Sequence, residues 1–328
     1  MNFYEITCFV NEENTNHQVF KTLKHIVQTE KSTTLIKGWQ YGYHVKILGF
    51  FDSDKVNKNY KLLSSILKNE PTSTYCIDTF KNKYEKVARI TNQLHSQQEI
   101  FQNKVKINQI DDCFYFENMD QLKLYIFIHR IFDSFYMERY WKDNNVLTIV
   151  HDIYPFVKQL PDKVISESDL LYSNGYTSHL SHYIGFLNSL KLSDRKRIQQ
   201  IFKKRIVVDV ESLKKGNDGS SKLVSRLFEV YRLVSKYVDE GLINFHSPYS
   251  SNQFNSKVNQ TSVRHASIFE DVELKEAVLS DKVLCTNKWI LNVLYEKLVL
   301  LNIKPIEKFY MNFLISSMRY EEKLLEVN

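Results

Sequence analysis

The tract from residue 176 to residue 183 holds the densest group of side chains that could move protons. It supplies Tyr176, Ser178, His179, His182 and Tyr183. On a helix the two histidines and Tyr183 stand at i, i+3 and i+4, so all three project from one face. Imidazole titrates near neutrality, and hydroxyl groups beside it suit general acid–base catalysis. Hydrogen-bonded structural histidines also fit this pattern. A metal site fits less well, because no acidic residue stands at helical spacing to complete it.

A second group ends an apolar stretch, in the sequence YMERYW of residues 136–141. It contains Glu138 and Arg139, which is one of the chain's few arginines. We predict that the Arg139 guanidinium faces a pocket and stabilises carbonyl or enolate charge, and that Glu138 binds the substrate. The alternative for Arg139 is that it caps the C-terminus of a helix and pairs locally.

A third group lies on a predicted strand with the sequence YGYHVKI, residues 41–47. Alternation places His44 and Lys46 on one face and Tyr43, Val45 and Ile47 on the other. We predict that Tyr43, His44 and Lys46 contribute to a substrate wall. A solvated face is the alternative for the two basic residues.

Basic residues also cluster on one predicted helix, as RKR at 195–197 and KKR at 203–205. Both a solvated face and a docking site for an acidic peptide fit this cluster. The whole chain has 44 basic and 38 acidic residues, a net charge of +6. That charge is mild, and acidic and basic residues alternate through most of the chain, so it supports a weak preference for an acidic partner rather than a nucleic acid.

Several classes of function find no support in the sequence. Phosphate-binding glycine loops, the GxSxG and HExxH motifs and EF-hand loops are all absent. The four cysteines form no CxxC pair, which indicates buried free thiols in a reducing compartment. No basic start leads into an apolar run, and no window approaches about 18 consecutive apolar residues. We therefore expect a cytoplasmic protein that uses no metal and no cofactor and does not bind a membrane.

The elements that must position these groups indicate an α+β fold. Hydrophobic periodicity predicts an α+β part over 1–118 and a mainly helical part over 119–328, packed as one unit. The predicted strands are 2–10, 39–51, 74–80 and 113–117, and the predicted helices are 13–30, 56–69, 82–97, 119–140, 146–159, 176–191, 194–205 capped by Ser193, 222–240, 270–301 and 305–325. Residues 211–221 and 246–265 are predicted turn and loop segments.

Three tracts, taken in order, resemble a known group of domains. They are FYMERYW, then YSNGYTSHLSHYIGFLNSL, then KWILNVLYEKL followed by FLISSMRYEEKL. Together they resemble the C-terminal, elimination-type domain of class I lanthipeptide dehydratases and its stand-alone relatives in thiopeptide biosynthesis. The resemblance covers most of the chain and implies an elimination-domain-like α+β fold.

Two departures from the elimination pattern point to one branch of that group. Eliminating members carry a strand motif close to HxRxR, where this chain has His44-Val45-Lys46-Ile47-Leu48, and a late histidine, where it has Ser317. Lysine is a compact point charge and does not replace the planar fork of arginine. The resemblance therefore favours the pyridine synthases over glutamate elimination.

The resemblance implies a specific reaction and substrate. A pyridine synthase performs a formal aza-[4+2] cycloaddition between two dehydroalanines of a ribosomal precursor peptide, with loss of water and of the leader peptide. The implied partner is that precursor, with its leader and a dehydrated, azole-containing core, bound directly or through a separate leader-recognition protein. Two alternatives stay open: the glutamate-eliminating subunit of a split dehydratase, and a non-catalytic scaffold that binds the precursor.

Overall fold

The computed structural model describes residues 2–10, 17–70, 78, 80–82, 85, 99–110, 116–166, 171–215, 222–245 and 270–326. The chain divides into two compact units, one of residues 1–114 and 132–141, the other of residues 115–131 and 142–328. The predicted α+β class is confirmed, because a small antiparallel sheet lies in the N-terminal part and helices dominate the rest.

The first unit is built around a four-stranded antiparallel sheet in the order β2-β3-β1-β4. Its core contains fully buried Ile6, Leu35 and Ile47, which are register partners across three strands. Two helices pack on these strands, α1 on β2 and α2 on β1 and β4. The elements are β1 (Asn2–Phe9), α1 (His17–Thr29), β2 (Thr33–Gly38), β3 (His44–Phe51), α2 (Ser53–Lys68) and β4 (Lys104–Gln109).

The second unit is mainly helical, and its last helix is its central element. This helix, α10, contacts α4, α5 and α6, while α9 contacts α5 and α7. Residues 119–131 of α3 belong to this unit and the end of α3 belongs to the first. The elements are α3 (Met119–Tyr136, followed by a 3-10 turn at Met137–Arg139), α4 (Val146–Gln159), β5 (Lys163–Ser166), β6 (Leu171–Ser173), α5 (Gly175–Ser189), α6 (Leu192–Lys215), α7 (Lys222–Asp239), α8 (Val272–Ser280), α9 (Lys282–Leu300) and α10 (Pro305–Glu326).

Several predicted element boundaries were wrong. The strand predicted from residue 39 begins at His44, because Tyr41 and Gly42 take positive φ values of 59° and 121° in a turn. Ser193 does not cap α6, since that helix already begins at Leu192. The helix predicted over 270–301 is interrupted at Asp281, whose side chain accepts a hydrogen bond from Leu284 N and so starts α9.

Strands β2, β4, β5 and β6 were missed. They are short, and β4 reads KVKINQ, whose exposed polar positions hide the alternation. Residues 116 and 117, predicted as strand, form a bend, and residues 78 and 80 are helical. The rest of the predicted elements at 74–80, 82–97 and 113–117 lies largely outside the described residues, as do 216–221 and the loop predicted at 246–265. The predicted turn at 211–215 is instead the end of α6.

Candidate functional site

The start of α5 is fixed by two close contacts. The Asn174 side chain accepts hydrogen bonds from Tyr176 N and Thr177 N at 2.9 and 3.0 Å, which caps the helix. Gly175 follows it, and a Cβ at this position would lie 2.5 Å from the carbonyl oxygen of Val157 in α4. Only glycine allows that approach, so the sequence NGYT sets where the helix carrying the predicted catalytic residues begins.

His179 is fully buried and held by α10. Its Nδ1 lies 2.7 Å from Asn312 Oδ1, which also accepts a 2.7 Å hydrogen bond from the Tyr295 hydroxyl of α9. Because an amide oxygen only accepts, His179 Nδ1 carries a proton and Nε2 presents a lone pair. Among the described residues, His179 Nε2 and Asn312 Nδ2 have no hydrogen-bond partner. Burial lowers the pKa of His179 to about 4, so the imidazole is neutral at neutral pH.

The other predicted residues of α5 surround this hydrogen-bonded core. Tyr183 is buried beside the ring of Phe313, 4.9 Å between centroids, and burial raises the pKa of Tyr183. The ring of His182 meets Tyr295 edge-on at 4.8 Å. The i, i+3, i+4 face is therefore formed, and it packs against α9 and α10. Tyr176 is buried and Ser178 half-buried at the N-terminal end of the same helix.

A second polar cluster uses the next residue of α9. Glu296 Oε2 accepts a 2.5 Å hydrogen bond from the Tyr125 hydroxyl and lies 3.2 Å from His129 Nε2. His129 is fully buried, whereas the Glu296 side chain is 37% exposed. Burial alone would raise the pKa of Glu296, but His129 and the Tyr125 hydroxyl hold it below its usual value. The consecutive residues Tyr295 and Glu296 thus take part in two separate polar clusters: Tyr295 shares the acceptor Asn312 with His179, and Glu296 lies beside His129.

The Glu296 cluster can accept and donate protons, but Glu296 and Asn312 were not predicted from the sequence. A carboxylate that is partly exposed and backed by imidazole and phenol can accept a proton from a bound group. Asn312 and Glu296 were not predicted, although each is a polar residue within an apolar run, YMNFLI and VLYEKLVLL. A polar side chain inside an apolar helix is the signal that identifies them.

The remaining predicted site residues lie in the first unit. His44 is buried, with Nδ1 2.8 Å from the Gly42 carbonyl oxygen and its ring edge-on to Phe9 at 5.2 Å. Burial, and then the Lys46 ammonium, lower the pKa of His44 to about 4. The predicted alternation is confirmed, since His44 and Lys46 pair with Phe9 and Thr7 on one face. His44 is buried on this face and Lys46 is half-buried.

Lys46 is already paired within the sheet. Its Nζ lies 2.9 Å from Glu5 Oε2, and Glu5 also accepts hydrogen bonds from Thr7 at 3.0 Å and Asn108 at 3.3 Å. On the opposite face, buried Tyr43 has the Lys37 ammonium 4.8 Å from its ring centroid. The Lys46 ammonium is thus paired with the Glu5 carboxylate within the sheet.

Arg139 and Glu138 lie in the 3-10 turn after α3. The Arg139 guanidinium carbon is 5.4 Å from the ring centroid of Tyr136. Glu138 is largely exposed and lies 3.9 Å from the Lys24 ammonium. The structure therefore brings the α5 residues together in the second unit. In the first unit it places His44 and Lys46 on one face of the sheet and Tyr43 on the other. Glu138 and Arg139 belong to the first unit as well.

The described residues hold neither a candidate metal cluster nor a membrane-spanning helix. No group of three His, Cys, Asp or Glu side chains in those residues could hold a metal ion. No helix in them has the length and apolar character needed to cross a membrane.

The chain is similar in structure to two solved proteins over nearly its whole length. One is described as the pyridine synthase TbtD from thiomuracin biosynthesis, with a TM-score of 0.55, 12% identity and 97% of each chain covered. The other is TsrL, with a TM-score of 0.50, 15% identity, and 98% of this chain and 95% of that chain covered. No protein-family model matches the sequence, and none of the curated proteins matches it. At these identities the likeness shows the fold alone, and at that level the resemblance found in the sequence is confirmed.

Proposed function

We propose that this protein is a thiopeptide-type pyridine synthase. The observation that carries the proposal is the fold, which matches a pyridine synthase over 97% of both chains. The His44 strand supports it further, because its basic residue is a lysine neutralised by Glu5 rather than an arginine fork that could hold an enolate.

The proposed reaction needs proton transfers and positioning but no oxidant. One dehydroalanine and its preceding amide, as the imidic-acid tautomer, form the azadiene, and the second dehydroalanine is the dienophile. Two C–C bonds close the ring. The hydroxyl then leaves as water and the leader leaves as its carboxamide, each taking one proton from a ring methylene. The atoms balance, and the product is a pyridine.

The residues of the second unit supply groups suited to these steps. Glu296 is ionised and partly exposed, so it can accept the amide proton during tautomerisation, with Tyr125 and His129 stabilising the carboxylate. The neutral His179 is fully buried, so its part is to position α5 against α10, while Asn312 fixes which of its nitrogens is protonated. Holding two dehydroalanines in contact removes most of the entropic barrier to a bimolecular step.

The test is to incubate the protein with a leader-bearing precursor that already contains two dehydroalanines. Mass spectrometry should detect released leader carboxamide together with a macrocycle. Glu296→Gln and His179→Gln should lower turnover, whereas Glu273→Gln, on exposed α8 surface, serves as the matched control. An unchanged precursor refutes the proposal.

The two alternatives give different results in the same assay. A glutamate-eliminating subunit would convert a glutamylated precursor with loss of the glutamyl mass and would form no ring. A non-catalytic scaffold would bind the precursor, and changes at Tyr176, His179 and His182 would then leave turnover by partner enzymes unchanged.

A further inference from the structure

Helix α6 presents large aliphatic side chains to solvent in the middle of a basic surface. Ile201, Val207 and Val208 are 51%, 67% and 70% exposed. Ile201 and Val208 are seven residues apart, so they lie on one side of the helix with Arg197 and Lys204, which are also exposed. We call Arg197, Ile201, Lys204, Val207 and Val208 the α6 stripe.

The inner side of α6 is firmly anchored, which fixes the direction in which the stripe faces. Arg205 makes a bidentate contact of 2.8 Å with Glu307 of α10 and a 3.0 Å hydrogen bond with Asp209. Phe202 is buried, and the hydroxyl of fully buried Tyr310 donates to Asp209 at 2.5 Å. The outward stripe is therefore a surface that the fold of the second unit holds in place.

The charge around the stripe identifies the kind of partner that it fits. The stripe itself contains exposed Arg197 and Lys204, and exposed Lys196 and Lys203 flank it. The exposed acidic residues Asp194 and Glu211 stand near its two ends. A second copy of the stripe would bring like charges together. The apolar residues are isoleucine and valine, without the Trp, Phe and Leu of helices that bind membrane surfaces.

We propose that the α6 stripe docks an acidic amphipathic helix, namely the leader segment of the precursor peptide. Such a helix places apolar side chains at i, i+4 and i+7 against Ile201 and Val208, and its carboxylates meet Arg197 and Lys204. The identity of this partner as the leader rests on the proposed function. Its chemistry, acidic and amphipathic, rests on the surface alone.

The first test is binding of a fluorescein-labelled synthetic helix with leucines at i, i+4 and i+7 and glutamates between them, measured by fluorescence anisotropy. A peptide of the same composition in scrambled order is the control probe. The double variant Ile201→Asp, Val208→Asp should weaken binding by about tenfold or more. Val272→Asp, at a 68% exposed valine of α8, should leave binding unchanged. Equal binding of both peptides, or no effect of the double variant, overturns the proposal.

A charge-reversal pair tests the electrostatic half of the proposal. Lys204→Glu should weaken binding of the acidic peptide, whereas Lys123→Glu, at a lysine whose side chain is 61% exposed, should not. The wild-type protein and the Ile201, Val208 double variant are also compared for binding to anionic phosphatidylserine vesicles. If the wild-type protein binds the vesicles and the variant does not, the stripe is assigned to a membrane instead. Dimerisation that the same variant abolishes, measured by light scattering, would assign it to a second copy.

A turnover measurement separates this inference from the proposed function. With leader-bearing precursor, the Ile201, Val208 double variant should show a raised KM and an unchanged kcat. If the wild-type protein forms no pyridine but binds the acidic helix through the stripe, the proposed reaction fails and the docking surface stands. If turnover occurs and the variant binds the peptide like wild type, the docking surface fails and the reaction stands.

Discussion

Asn312 Oδ1 is an acceptor shared by two donors. Removing one of these donors should therefore change the stability in opposite directions, depending on whether Asn312 is present or replaced. Asn312 Oδ1 accepts from His179 Nδ1 and from the Tyr295 hydroxyl, both at 2.7 Å, the first bond buried and the second partly buried. Replacing Asn312 by Leu leaves one buried and one partly buried donor without their acceptor, at about 1–3 kcal/mol each. It also removes the Asn312 Nδ2 group, which has no partner in the described part of the chain. The net loss of unfolding free energy should be about 1–3 kcal/mol.

The informative measurement is a double-mutant cycle with Tyr295→Phe. In the wild-type background this change deletes one hydrogen bond and should destabilise the protein by about 0.5–1.5 kcal/mol. In the Asn312→Leu background the hydroxyl is already an orphaned donor, so removing it should be neutral or stabilising. The coupling energy should therefore be about 1 kcal/mol or more.

Urea unfolding followed by circular dichroism measures all four proteins of the cycle. Tyr231→Phe, on half-buried α7 surface, is the control for deletion of a tyrosine hydroxyl and should be additive with Asn312→Leu. If the Tyr295 and Asn312 changes were additive within about 0.3 kcal/mol, the shared-acceptor geometry would be refuted.

Three further predictions follow from the same structure. His44 and His179 have pKa values lowered to about 4 in the folded protein, so as the pH falls the unfolded chain binds protons at these residues first. The free energy of unfolding should therefore fall as the pH drops from about 6.5 to 4. His179→Gln should make this pH dependence weaker in urea titrations, and an unchanged pH dependence would contradict the burial argument. Glu296→Gln should lower kcat by about 10²-fold or more in the dehydroalanine assay while circular dichroism stays native, and full activity would exclude Glu296 as a base. Gly42→Ala should lower the free energy of unfolding by about 2 kcal/mol, because Gly42 has a φ of 121° and a Cβ there would lie 2.5 Å from the Phe101 carbonyl oxygen. Thermal unfolding measures this loss, and a melting temperature equal to that of the wild type would show that the turn relaxes.

The sequence predicted most of the helices well, cut the longest one, α6, short, and predicted the small sheet poorly. Helix α4 was predicted with its observed bounds, Val146–Gln159, because its apolar residues recur at helical spacing over four turns and bury Ile149, Val150 and Ile153. Strand β4 has few buried positions and takes its place by pairing with β1, which is distant in the sequence. Short strands depend on such non-local pairing, which periodicity does not report.

The candidate site shows the same division at the level of single residues. Helical spacing placed His179, His182 and Tyr183 on one face, and alternation placed His44 and Lys46 on one face of the sheet. Neither the helical spacing nor the alternation showed that His179 is buried against α10 or that Lys46 is paired with Glu5. Those partners stand far away along the chain.

The sequence by itself determined the α+β class, most of the helices and which of these side chains share a face, because periodicity is a local property of the backbone. The tertiary structure decided which of them are neutral, paired or exposed. Asn312, 133 residues beyond His179, sets which of its two nitrogens is protonated. His129 and Tyr125 stabilise the Glu296 carboxylate from another helix. Burial and long-range contact set protonation, and both exist only once the chain has folded.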